Sequence, residues 1–216
     1  MAKIRTVEQL EDELVEETVW RKRELTTARK LVQQSSGNTQ TAHLRSGVLI
    51  LYAHWEGWIK ATSRLYVRFV NSQRLQYDDL STAFLGNALK TKITSMSQAS
   101  TPTMHNEFAS FLQEGLVKRA SVSEDLVQTH SNLSSTVLMQ VVNRLGLPTR
   151  SSYSTRANII DEELVNRRNA IAHGRHLEID EADFLRLHES VLEMLQVFTD
   201  DIRNAASRGE YLAVSN

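Results

Sequence analysis

One stretch decides what this chain can become. From about Thr41 to Asn71, Val48, Tyr52, Trp55, Ile59, Thr62, Tyr66 and Phe69 recur at alternating steps of four and three. Leu44, Leu51, Trp58 and Leu65 form an adjacent heptad row. Such steps keep side chains on one face of an α-helix, and two neighbouring rows make an apolar stripe too wide for a helix lying on a surface. The helix is therefore expected at the centre of a bundle, buried on more than one side. Two prolines and eight glycines in 216 residues, with no strand-like alternation, leave little for a β architecture. The expected fold class is all-α, an antiparallel bundle of about five to seven helices.

The flanking segments fit that class. Thr6-Val7-Glu8-Gln9 has the form of a capping box, and Val7, Leu10, Leu14, Leu25, Ala28 and Val32 mark the amphipathic helix it opens, with Trp20 expected in the core. Ser35 to Asn38 reads as a loop. Asp78 or Asp79 is expected to cap a helix through Leu80, Phe84, Leu89 and Ile93, with a loop from Ser95 to Thr103 and a shorter helix from about His105 to Lys118. Residues 119–131 are polar and carry no clear period. Asn132 to Ser135 starts a helix that Gly146 and Pro148 end, and Asp180-x-x-Asp183 opens a last helix with Phe184, Leu187, Val191, Met194, Leu195, Phe198 and Ile202 on one face. The tail from Ser207 is expected to fray. The length bounds one helical domain over 1–216, its N-terminal helix (about 6–34) an elaboration on a core of about 41–206.

Candidate chemistry concentrates in Leu164-Val165-Asn166-Arg167-Arg168-Asn169-Ala170-Ile171-Ala172-His173-Gly174. Ile160, Leu164 and Ile171 keep helical spacing, and Gly174 stands where a left-handed glycine ends a helix. His173 then sits on the last turn, where the negative end of the helix dipole favours an imidazolium. A helix ending in Arg, His and Gly is also ordinary structure, since cations suit helix C-termini. RNA cleavage without a metal needs a base for the 2′-OH, an acid for the 5′-oxygen and a cation for the charge on phosphorus. Histidine serves the first two near neutral pH, and the planar arginine fork serves the third. Residues five apart lie about 140° apart around an ideal helix, so Arg168 and His173 face one way only if the helix ends, tightens or kinks before His173.

Two motifs carry a family resemblance. Arg168, four intervening residues and His173, with Asn169 after the arginine and Gly174 after the histidine, resemble the signature of the HEPN superfamily. Leu51-Tyr52-Ala53-His54-Trp55-Glu56-Gly57-Trp58-Ile59-Lys60 resembles the N-terminal core helix of one prokaryotic HEPN subgroup, and the likeness extends from about Leu44 to about Ile202. It implies a small all-helical domain working as a dimeric, metal-independent endoribonuclease, a toxin or defence effector. Its composite site at the dimer interface would leave 2′,3′-cyclic phosphate ends. Arg168, His173 and Asn169 are then the catalytic candidates. Arg167, Arg175 and His176 are candidate substrate contacts, and Glu56 and His54, on opposite flanks of the apolar stripe, are candidate supports for the motif. The partners implied are RNA, a second copy of the chain, and an antitoxin or regulatory protein. The alternative is a non-catalytic HEPN-type module that binds RNA or nucleotide, or serves as a structural partner.

Charge and composition narrow this further. The formal net charge of −1 excludes a broad basic face for nucleic acid. Six arginines lie between Arg144 and Arg175 against Asp161, Glu162 and Glu163, whereas residues 8–24 carry seven acids against Arg21, Lys22 and Arg23, so any RNA site is expected near Arg168. No cysteine is present, which removes disulfides and thiolate metal sites. His173-x-x-His176 lacks a third ligand, so neither metal nor cofactor is expected. No apolar run reaches the ~18 residues of a membrane span, and Met1-Ala-Lys-Ile-Arg runs into a Glu-rich helix rather than a signal sequence, so a cytoplasmic location is expected. The wide stripe and the need to pair two half-sites together motivate a homodimer.

Overall fold

The computed structural model describes residues 3–98, 102–124 and 132–214. Eight α-helices and one π-helical segment are found among them: α1 (Val7–Gln33), α2 (Gly37–Ser72), α3 (Thr82–Gln98), α4 (Pro102–Glu114), α5 (Ser135–Arg144), α6 (Ser151–Thr155), the π segment (Ile159–Asn166), α7 (Arg167–Ala172) and α8 (Glu181–Arg208). No strand forms among the described residues, and two isolated bridges, Gln76 with Arg119 and Leu80 with Leu212, tie loops together. The fold is all-α. No helix among the described residues is long and apolar enough to cross a membrane.

The caps follow the local chemistry. Thr6 Oγ1 accepts the Gln9 N–H at 3.2 Å, while Gln9 reaches one residue further back than a simple box and accepts the Arg5 N–H at 2.8 Å. Asp180 caps α8 through the Asp183 N–H at 2.7 Å, and Ser134 caps α5 through Val137.

Helix α2 is the axis of the molecule. It packs on α1, α8, α7 and the π segment, and its whole stripe is covered within one chain. Trp55 and Trp58 are fully buried, and each side chain of this size contributes roughly 2 kcal/mol or more by leaving water. Their indole N–H groups are satisfied, Trp55 donating to the Leu133 carbonyl and Trp58 to Thr199 Oγ1 on α8, both at 3.0 Å. The stripe is thus used up internally and offers no apolar face to a second copy. Helix α1, expected as an elaboration, supplies Leu10, Leu14 and Leu25 to the same core.

Several expectations are corrected. Trp20 is not core: it is 46% exposed, edge-on to His54 and beside the Arg21 guanidinium. The Ser35–Asn38 loop shrinks, because α2 already starts at Gly37. Of the Ser95–Thr103 loop, 95–98 extend α3 and Pro102 opens α4, while 99–101 lie outside the described residues. Of the unassigned stretch 119–131, residues 125–131 also lie outside them. The tail does not fray at Ser207. Helix α8 runs to Arg208, Gly209 turns the chain in the left-handed region, and Tyr211 packs edge-on against Phe69 and Tyr66.

At the base of α8 a buried carboxylate is paired rather than orphaned. Asp201 accepts from Arg150 Nε at 2.6 Å and from the Tyr153 hydroxyl at 2.8 Å, which fixes α6 against α8. A buried charge persists only with such partners.

Two glycines of α2 should respond oppositely to alanine. A Cβ at Gly47 would lie 2.8 Å from the buried Phe184 ring, whereas at Gly57 it meets only the movable end of Arg21. Overpacking costs ~1–3 kcal/mol against ~0.5–1 kcal/mol gained in helix propensity. Gly47→Ala is therefore expected to lower the urea midpoint and Gly57→Ala to leave it unchanged or raise it. Equal losses at both would contradict this packing.

His188 gives the fold an acid sensitivity. Its Nε2 faces the Leu25 carbonyl at 3.2 Å and so carries the proton, while Nδ1 is buried without a partner. Burial, the largest effect, holds its pKa below the usual 6.5; the Leu25 carbonyl opposes this, and Arg29 adds to it. The folded state therefore binds this proton less readily than the unfolded chain. The stability is present above pH ~6.5 and is lost as pH falls toward the lowered folded pKa. Burial likewise lowers the pKa of His54, with Glu24 opposing. Melting temperature should fall from pH 7.5 to 5, and His188→Gln should flatten part of that slope.

Candidate functional site

The motif helix is not one regular helix. Residues 159–166 are π-helical, and the α-helix resumes at Arg167. A π turn brings residues five apart nearly into line, which lets Ile160 and Val165 both face the core; α geometry would turn them about 140° apart. The segment is fastened to α5 and to α8, and braced once within itself. Asp161 accepts the Ser135 N–H at 2.7 Å and its hydroxyl at 2.5 Å, Glu163 meets Arg186 of α8 at 3.1 Å, and Glu162 accepts from Asn166 at 2.8 Å.

Where α7 begins, adjacent arginines reach different neighbours. Arg167 turns to α8 and pairs with Asp183 at 3.1 Å, and its Nη1 is buried with no hydrogen-bond partner. Asp183 is held below the usual carboxylate range, first by its bond from Arg186 and then by Arg167. Arg167, expected to contact substrate, ties α7 to α8. Arg168 turns to α2. Its guanidinium carbon lies 3.9 Å from the centre of the Tyr52 ring, and Nη1 donates to Asn169 Oδ1 at 2.7 Å. A cation over a tyrosine face is worth ~0.5–2 kcal/mol and fixes the plane of the fork. Asn169 thus orients Arg168 through its carbonyl oxygen.

Tyr52 is the residue that sequence reasoning missed, having been assigned only to the apolar stripe. Its hydroxyl accepts the Leu133 N–H at 2.9 Å and hydrogen-bonds Glu56, one turn along α2. Burial is the main cause of a raised phenol pKa, so the hydroxyl stays protonated and donates to the carboxylate. Glu56 also takes Lys60 at 2.5 Å, with its side chain 14% exposed. Glu56 therefore connects to Arg168 through Tyr52. The signal was available: a tyrosine four residues before a glutamate, in a row that must be buried, needs a partner for its hydroxyl.

His54 points the other way. Its Nε2 lies 2.9 Å from Glu24 of α1, so the structure joins it to α1 and not to the motif. Helix α7 remains α-helical through Ala172, and the irregularity lies before Arg168, not between it and His173. Positions five apart on an ideal α-helix lie about 140° apart around its axis, and His173 is itself the cap just past the last helical residue, at φ −90° and ψ 14°. His173 is exposed at the cap, and Gly174, at φ 70°, ends the helix: Arg175 N–H bonds to the Ala170 carbonyl at 2.9 Å and Gly174 N–H to that of Ile171 at 3.0 Å. Arg45 of α2 clamps the following turn, donating to the Arg175 carbonyl at 3.0 Å. Arg175 is exposed, and His176 stands in solvent 3.7 Å from Glu178.

The expected basic patch is mostly neutralised. Arg150, Arg156 and Arg167 meet Asp201, Glu193 and Asp183, and Arg168 lies on Tyr52. His173 and Arg175 stand exposed beside it. Among the described residues no group of three histidines or carboxylates could hold a metal ion.

Comparison with known proteins adds the family. No curated protein and no solved structure matches the chain. A family model, described as HEPN_MAE_28990-like HEPN, matches residues 10–211. That span holds both α2 with its Tyr52–Glu56 pair and the Arg168–Gly174 turn, and the chain belongs to the HEPN_MAE_28990-like HEPN family.

Proposed function

We propose that the protein is a metal-independent endoribonuclease that acts as a homodimer in the cytoplasm, as a toxin or defence effector whose activity an antitoxin or regulatory protein restrains. A HEPN domain points to a ribonuclease or nucleotide-binding type of function. The observation that carries the finer reading is Arg168, held over the Tyr52 ring and bonded to Asn169, near an exposed histidine at a fixed helix end. A guanidinium fixed in this way suits the charge that develops on a phosphate during transfer, because little reorganisation is then needed at the moment of reaction.

The proton transfers fall to His173. Deprotonating the 2′-OH and protonating the 5′-oxygen are opposite tasks on opposite sides of the phosphorus, and a single chain has one His173. Two chains about a twofold axis supply two, one as base and one as acid, with an Arg168 from each against the phosphate. The roughly 140° that an ideal helix sets between positions 168 and 173 favours this arrangement, in which the arginine of one chain works with the histidine of the other. The products are a 2′,3′-cyclic phosphate and a free 5′-hydroxyl. Arg175 and His176 flank the cleft as contacts to the strand, and Glu56 acts through Tyr52 on the plane of Arg168.

Arg168→Ala and His173→Ala should each lower RNA cleavage in EDTA by at least about two orders of magnitude. His173→Ala should leave the melting temperature nearly unchanged, and Arg168→Ala should cost no more than the ~0.5–2 kcal/mol of the tyrosine contact. Cleavage that survives both substitutions would select a binding or structural module instead.

The assembly is checked separately. Sedimentation at micromolar concentration should show a dimer. A stable monomer that retains full cleavage activity would overturn the shared cleft.

A further inference from the structure

A group of cations without carboxylate partners lies away from Arg168. Lys3, Arg5, Arg68, Arg74 and Arg119 line one cavity of about 300 Å³, where the segment before α1, the end of α2 and the turn after α4 meet. Glu124 is the one acid in that lining, and it is taken by Arg68 at 2.7 Å. Among the described residues Lys3, Arg5, Arg74 and Arg119 have no carboxylate within ion-pair distance, and all four are exposed. A chain of net charge −1 thus gathers four uncompensated cations around one hollow.

The segments that bear them are fastened to one another by the backbone. Gln73 Nε2 donates to the Arg5 carbonyl at 3.1 Å, and Ser72 Oγ donates to that of Ile4. Ala120 N–H bonds to Leu75 O at 2.8 Å and Tyr77 N–H to Lys118 O at 3.2 Å, which sets Arg119 beside Arg74. Asn71 closes the floor with bonds to the Val122 carbonyl and N–H at 2.8 and 2.9 Å. The carbonyl end of α2 accounts for a cation such as Arg68 or Arg74. It does not account for Lys3, Arg5 and Arg119, which arrive from other segments.

Arg74 adds an independent observation. At φ 59° it is the one non-glycine with positive φ among the described residues, and it follows the cap of α2. At the corresponding turns after α5, α7 and α8 the left-handed residue is Gly146, Gly174 and Gly209. A glycine would relieve the backbone here as it does there, so the guanidinium is kept against a local conformational cost.

We infer that this cavity binds the phosphodiester backbone of a single RNA strand, away from the cleavage site; the inference rests on the ribonuclease reading above. Positive charge without carboxylate acceptors selects an anion. The lining holds no aromatic ring to stack a base, so the recognition is of backbone and not of sequence. Arg68 lies 16 residues along α2 from Tyr52, about 24 Å along the axis at 1.5 Å per residue and about 160° around it, so a strand that meets both places must also pass around α2. The cavity thereby supplies affinity for long RNA that the neutralised surroundings of Arg168 do not.

Fluorescence anisotropy with a labelled single-stranded RNA, in a His173→Ala background that prevents cutting, tests this. Adding Arg74→Gly and Arg119→Ala together should weaken binding about tenfold or more at low salt and reduce the salt slope by about 1.4, at about 0.7 per phosphate contact. Arg74→Gly alone should weaken binding while leaving the melting temperature unchanged or higher, which a merely structural arginine would not do. Unchanged affinity and slope in the double variant overturn the inference and leave the nuclease reading intact, provided that cleavage by the parent protein still requires Arg168. A parent protein that binds no RNA overturns both. Displacement by polyglutamate as readily as by polyuridylate would overturn RNA in favour of an acidic peptide.

Discussion

Everything in this molecule depends on covering the apolar stripe of α2. A helix of 36 residues with two adjacent rows of large side chains cannot be satisfied by one neighbour, and α1, α8, α7 and the π segment close around it. That closure carries a cost wherever the stripe contains a polar atom. Tyr52 is such a place: its ring belongs to the core, but its hydroxyl must be bonded once water is excluded. Leu133 and Glu56 supply the bonds, and one face of the ring takes Arg168. The candidate site is therefore a by-product of solving the packing of α2 rather than a feature added to a finished bundle.

The π segment performs the complementary task from the other side. An α-helix from Ile159 onward would place Ile160 and Val165 on different faces, and one of them would leave the core. The wider turn buries both and resets the phase with which α7 starts. Arg167 and Arg168, about 100° apart on the resumed α-helix, then fall toward α8 and α2 respectively. The first becomes a tie through Asp183, and the second is laid on Tyr52. Adjacent residues of identical chemistry thus acquire different roles because of backbone phase, which no inspection of side-chain types reveals.

That contrast marks how far the sequence could be read. Helices α1, α5 and α8 were legible because their spacing and caps agree, with Thr6, Ser134 and Asp180 capping them, and α2 was legible by its spacing alone. The turn at Gly174 was legible because left-handed backbone favours glycine. The partners of polar side chains were not. His54 and Glu56 are two residues apart and equally placed on the flanks of the stripe, yet one meets Glu24 on α1 and the other Tyr52 on its own helix. Trp20 was misassigned because an aromatic at helical spacing does not say whether the neighbouring helix reaches that far. These outcomes depend on which helix lies on which flank, a tertiary fact.

Charge shows the same separation of composition from placement. The run of arginines from 144 to 175 looks like a local basic site, but Asp183, Glu193 and Asp201 lie on one helix, α8, that passes beneath it and absorbs three of them. Lys3, Arg5, Arg74 and Arg119 are scattered over more than a hundred positions and form no run at all, yet folding collects them at one end of α2. A field strong enough to attract a polyanion needs uncompensated charge held close in space, because exposed charges more than about 10 Å apart are largely screened at ordinary ionic strength. Acids paired within ion-pair distance cancel the first cluster, whereas among the described residues the second is lined by one acid, Glu124, which is taken by Arg68. In a protein close to neutral overall, the position of the unpaired cations, rather than their density along the chain, determines where a polyanion would be attracted.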